Sequence, residues 1–119
     1  MLSDEEQTGI WPLPKAYLDE MSLSGNGLAV VPVKGDSMEP TLRSGDRVLI
    51  DMGDQNVSQG GLFVLWDGLG RVVKRVERVP GVKIPTLALI SDNPLHNRYQ
   101  VAAADVMIVG RVVWAARRL

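Results

Sequence analysis

The chain has 119 residues, a formal net charge of −1, a pI of about 5.7 and no cysteine. A single domain of this size buries roughly two-thirds of the surface its unfolded chain exposes, so a core needs no covalent staples. The composition excludes disulfides, thiolate zinc sites and cysteine nucleophiles, lacks the positive field of a free-standing DNA reader, and contains no apolar run approaching the roughly 20 residues that span a bilayer. The N-terminus, Met1-Leu2-Ser3-Asp4-Glu5-Glu6, is acidic and has no signal-peptide character, so the expected location is the cytoplasm.

Residues 1–9 are polar, end at Gly9, and read as a linker remnant; residues 10–119 read as one domain. Pro14 can start a helix, and Tyr17, Leu18 and Met21 lie at helical spacing, which predicts a short N-terminal helix. Ser24-Gly25-Asn26-Gly27 is a loop. From Leu28 the period becomes strand-like, with strands expected near 28–34, 46–51, 61–67, 70–79, 85–91 and 106–116. Asp67-Gly68-Leu69-Gly70 marks a tight hairpin, Val79-Pro80-Gly81 ends its second strand, and Ser91-Asp92-Asn93-Pro94 is a turn cluster. Strands joined by short connections predict a mainly β fold, an antiparallel sheet or partly closed barrel. The last strand is apolar on both faces, which predicts burial on both sides, by the domain itself or by a partner with Trp114 as anchor. Arg117-Arg118 is expected to end the chain in solvent.

Two residues carry candidate chemistry. Ser37 lies in Gly35-Asp36-Ser37-Met38-Glu39-Pro40, where a strand ends and a short helical turn begins, a place that exposes a hydroxyl. The same residues also make an ordinary turn, with Asp36 as N-cap and Gly35 permitting the bend. Lys74, in Arg71-Val72-Val73-Lys74-Arg75-Val76, shares a strand face with Val72 and Val76; it is either buried there or snorkelling to water from an edge.

Burial decides the chemistry. Only a neutral lysine amine can take a proton from a serine. An ordinary lysine leaves about one molecule in 2,500 neutral at pH 7, a handicap of about 4.6 kcal/mol that desolvation can reduce. The oxyanion formed on attack would need two donors, for which the backbone N–H groups of Asp36 and Ser37 are the candidates.

Other schemes find less support. His96, the single histidine, sits in a polar loop. Asp46, Asp51, Asp54 and Asp67 have no metal-ligand spacing, and Gly60-Gly61 opens a strand without the Lys-Ser or Lys-Thr of a phosphate loop, so neither a metal nor a cofactor is expected.

The motifs Gly35–Leu42, Gly45-Asp46-Arg47-Val48-Leu49-Ile50-Asp51, Val73-Lys74-Arg75, Ile90-Ser91-Asp92-Asn93-Pro94 and Val109-Gly110-Arg111-Val112-Val113-Trp114 stand in one order. That order resembles the C-terminal domain of LexA-like and phage CI-like repressors, self-cleaving serine peptidases of the S24 type, from about Trp11 to the C-terminus. The resemblance implies that Ser37 is the nucleophile and Lys74 the general base. It also implies a homodimer, an N-terminal helix-turn-helix reader that carries the DNA binding, and cleavage of the intervening linker at an Ala-Gly or Cys-Gly bond promoted by a RecA filament.

The sequence contains no helix-turn-helix and no Ala-Gly or Cys-Gly; Thr8-Gly9 is the nearest substitute. The expectation is therefore a piece of a longer protein that holds the dyad apart from its own linker. Two other readings keep the fold: a non-cleaving dimerisation module induced by an antirepressor protein, and an UmuD-like polymerase subunit. Type I signal peptidases share Ser-Met-x-Pro and a lysine base, but lack of a membrane segment speaks against them.

Overall fold

A computed structural model describes residues 27–119. The expected linker and N-terminal helix lie outside the described residues. Seven strands follow in chain order: β1 (Leu28–Pro32), β2 (Arg47–Asp51), β3 (Gly61–Trp66), β4 (Arg71–Arg78), β5 (Thr86–Ile90), β6 (Tyr99–Ala102) and β7 (Met107–Ala116), with one 3-10 turn at Ala103–Asp105. They form one sheet in the order β1-β2-β7-β3-β4-β5-β6, every neighbouring pair antiparallel.

Runs of Val, Leu and Ile make these strands because branched side chains pack well on a pleated surface. Side chains alternate between faces, so β3 sends Val64 into one cluster with Val31, Val33, Met38, Val48, Ile50 and Val109. Its neighbours Phe63 and Leu65 enter a second cluster with Val76, Leu87 and Leu89. The β3–β4 hairpin is closed by Asp67, whose Oδ1 accepts the N–H groups of Leu69 and Gly70 at 2.8 and 3.0 Å. That is the Asx-type turn expected of Asp-Gly between two apolar runs.

The expected mainly β, antiparallel architecture is present, and of its two forms it is the open sheet, with β1 and β6 as its edges. Three points differ from expectation. β6 was not anticipated; it is short, largely exposed and follows a polar loop, so pairing with β5 rather than its own pattern makes it a strand. β7 is paired on both sides, by β2 and β3, but its side chains are not all buried: Val109 and Gly110 are, whereas residues 111–114 are half-buried. Arg117 does not end in free solvent; its guanidinium binds the buried Asp46 carboxylate in fork geometry at 2.8 and 3.0 Å.

The curl of the sheet positions the site. β1 and β4 are separated by three strands in the pairing order, yet Val31, Pro32 and Val33 line one small cavity together with Arg71, Val72 and Val73. Twist accumulated across antiparallel strands brings the two together without closing the hydrogen-bonded ladder.

Candidate active site

The loop after β1 is locally determined. Val33 continues the pairing beyond the strand, donating its N–H to the Asp46 carbonyl and accepting from the Gly45 N–H. Gly35 then takes φ +82°, a conformation that side-chain-bearing residues rarely adopt. Next comes a single helical turn, in which Leu42 N–H donates to the Met38 carbonyl at 2.9 Å. Met38 and Leu42 are buried in the first cluster and fasten the loop to the sheet. Ser37, immediately before Met38, is half-buried and lines the cavity of about 100 Å³ between β1 and β4.

Asp36 does not act as the expected side-chain cap. Its backbone carbonyl accepts the Glu39 N–H at 3.1 Å, while its carboxylate lies 2.8 Å from His96 Nε2. The one histidine therefore meets Asp36, beside the candidate nucleophile, and makes no hydrogen bond with Ser37. Among the described residues, no hydrogen bond uses the N–H of Asp36 or of Ser37.

Lys74 occupies the middle of β4 opposite Phe63 and is 8% exposed. It is flanked on its own face by Val72 and by fully buried Val76, as strand alternation requires. Desolvation holds its pKa below the ordinary lysine value of 10.5, opposed in part by the charge of Asp67. No carboxylate forms an ion pair with it among the described residues. Its Nζ instead donates to Ser91 Oγ at 2.7 Å.

Ser37 and Lys74 are not hydrogen-bonded to each other. The turn Ser91-Asp92-Asn93 connects them. Asn93 donates its backbone N–H to the Ser37 carbonyl at 3.0 Å and its side-chain amide to the Asp36 carbonyl at 2.9 Å. Asp92 accepts Arg75 Nε and Nη2 at 2.9 and 2.8 Å and also the Thr41 hydroxyl. Arg75, first among these partners, holds the Asp92 carboxyl below its ordinary range. One three-residue turn thus contacts the Ser37 loop, the β4 arginine and the β4 lysine. The sequence marks these residues as a turn and as one of the motifs of the family resemblance, without assigning any of them a role; the structure buries Ser91 and Asn93, and buried polar groups are held by hydrogen bonds.

Asp46, Asp54 and Asp67 are structural. Asp46 and Asp54 bind Arg117 and Arg111, and Asp67 closes its hairpin. No group of three or more His, Cys, Asp or Glu residues converges on a metal position among the described residues. No helix among them is long and apolar enough to cross a membrane.

The sequence matches the family model described as Peptidase S24-like over residues 2–113. It is 34% identical over 90 residues to the repressor protein CI of Enterobacteria phage phi80, covering 76% of this chain and 37% of that one. It is 33% identical over 76 residues to the 26 kDa repressor protein of Escherichia phage HK022, covering 64% of this chain and 31% of that one. The chain thus spans about a third of the length of the curated relatives it matches.

Proposed function

The chain belongs to the Peptidase S24-like family, and from that premise we propose that it is the C-terminal regulatory domain of a transcriptional repressor. In this reading residues 1–9 are linker, residues 10–119 form a dimerising domain, and DNA is read by a separate helix-turn-helix domain of a cytoplasmic repressor. The activity is RecA-stimulated cleavage of the linker by Ser37 and Lys74. Cleavage silences such a repressor because two tethered half-site readers gain an effective concentration that single ones lack.

The observation that carries the reading is the state of Lys74: buried, desolvated, without a carboxylate partner, and lowered in pKa. Those are the conditions under which an amine is neutral often enough to serve as a base. As Ser37 Oγ attacks the scissile carbonyl, the amine takes the hydroxyl proton. The carbonyl oxygen becomes an oxyanion, which accepts the N–H groups of Asp36 and Ser37. Collapse breaks the C–N bond, and Lys74 returns the proton to the departing amine. Water, deprotonated by the same amine, then releases the acyl group from Ser37. The dyad's hydrogen bond forms when the linker enters the cavity, since catalytic hydrogen bonds commonly tighten only with substrate in place.

A second reading has a specific observation in its favour. Lys74 Nζ is hydrogen-bonded to Ser91 and not to Ser37, the arrangement expected of an idle dyad in a dimerisation module that binds an antirepressor. Incubating the longer protein with RecA filaments on single-stranded DNA separates the two. Cleavage by the wild type, with Ser37→Ala and Lys74→Ala each uncut, supports the peptidase. An uncut wild type that loses operator binding to a protein partner supports the idle module.

A further inference from the structure

The geometry points to Ser91 as the positioning residue for the Lys74 amine. This inference rests on the dyad reading and adds to it a residue with no direct part in bond making.

The Lys74–Ser91 hydrogen bond, at 2.7 Å, joins two side chains that are each 8% exposed. It is the only hydrogen bond Nζ makes among the described residues, so it alone fixes the end of a side chain with four rotatable bonds. A neutral amine has two N–H bonds and one lone pair. Donating one N–H to Ser91 Oγ sets the rotation about the last bond and turns the lone pair away from Ser91. The acceptor must also be uncharged. A carboxylate at this position would hold the ammonium and destroy the base, and an alanine would leave a buried amine without a partner.

The backbone places Ser91 for this task. β5 pairs with β4 in the register Arg75↔Ile90, so residue 91 comes level with residue 74 one step past the last pair, on the same face. The following two residues are pinned in turn, Asp92 by Arg75 and Thr41, and Asn93 by the Ser37 carbonyl. The hydroxyl that holds the base is therefore built into the turn that holds the nucleophile loop. The charged groups around the amine are Asp67, which favours the ammonium, and the Arg75–Asp92 pair, which neutralises itself.

The test uses the chain itself, with two readouts. The first follows the Lys74 side-chain carbon resonance against pH in wild type, Ser91→Ala and Ser91→Thr. An acceptor of the amine's N–H stabilises the ammonium, so its loss in Ser91→Ala lowers the Lys74 midpoint, while Ser91→Thr leaves it in place. The second is the rate at which a fluorophosphonate labels Ser37, at a pH above both midpoints. Ser91→Ala labels about tenfold more slowly or worse, because the amine is present but misplaced, and Ser91→Thr stays within about threefold of wild type.

An unmoved or raised midpoint in Ser91→Ala overturns the proposal, as does labelling at the wild-type rate. Lys74→Ala separates the two layers. If it labels as fast as wild type, the dyad falls and the role of Ser91 falls with it. If it is silent while Ser91→Ala is fast, the dyad stands and Ser91 alone is refuted.

Discussion

Asn93 grips the main chain at the candidate nucleophile, its backbone N–H donating to the Ser37 carbonyl at 3.0 Å while its side chain donates to the carbonyl of the preceding residue at 2.9 Å. Both acceptors lie in a loop that follows an edge strand, where the sheet itself gives little support. The donor residue is buried and belongs to the turn that leaves β5. Position of the hydroxyl is thus imposed from across the sheet.

Asn93→Ala removes the side-chain donor and keeps the backbone one. On the proposed reading, linker cleavage in a repressor carrying this domain should fall about tenfold or more, since small displacements of a nucleophile cost large factors in rate. Thermal or urea denaturation should show a loss of about 2 kcal/mol, because the change also removes the Oδ1 that accepts the Leu95 N–H and each such hydrogen bond is usually worth about 1 kcal/mol. Unchanged cleavage would show that the loop is positioned without Asn93.

The Asp92–Arg75 pair makes a prediction about acid. The Asp92 pKa is lowered from its ordinary 3.8 in the folded protein, first by hydrogen bonds from Arg75 and then by Thr41. A group lowered on folding contributes stability that is fully present above the unfolded value and is lost as pH falls through the folded one. Denaturation followed below about pH 4 should therefore show a falling stability that is shallower in Asp92→Asn. At pH 7 that variant should lose about 1 kcal/mol, because a half-exposed guanidinium keeps the pair near the surface range. Equal slopes in the two proteins would contradict the assignment.

Lys74 makes a prediction of the same sign in the alkaline range, although here the burial costs stability at neutral pH. Its folded pKa lies below the unfolded value of 10.5, so between the two the unfolded chain binds more protons and stability rises with pH. Lys74→Met replaces a desolvated amine with an apolar side chain of similar length. It should be more stable than wild type at pH 7 by about 1 kcal/mol, lose the alkaline rise, and cleave nothing. A Met variant less stable than wild type would argue that the burial of Lys74 is not held at a cost.

Much of this was legible along the chain. Strand alternation put Lys74 with Val72 and Val76, and Asp67-Gly68 announced the hairpin that fixes their register. β6 was not legible, because Tyr99–Ala102 is a four-residue exposed edge made a strand by its neighbour. Nor was the destination of Arg117, whose partner Asp46 is 71 residues away. Ser91 and Asn93 read as turn residues within a family motif, but their partners did not show, because local sequence reports only local chemistry. Their roles depend on β4 lying beside β5 and on the β1 loop curling across the sheet, both of which are tertiary facts. Sequence pattern also left β7 open between a core strand and a docking surface; pairing with β2 and β3 makes it central to the sheet, with residues 111–114 only half-buried.

The central claim is that a desolvated Lys74 activates Ser37, and the pH dependence of linker cleavage tests it most directly. Single-turnover cleavage of the longer protein, measured from pH 6 to 10.5 without RecA, should rise with a single ionisation whose midpoint matches that of Lys74 read independently by its side-chain resonance. That midpoint should fall below the ordinary lysine value, and Ser37→Ala and Lys74→Ala should be flat at the background rate. A rate independent of pH across that range, or a rise that persists in Lys74→Ala, would contradict the account.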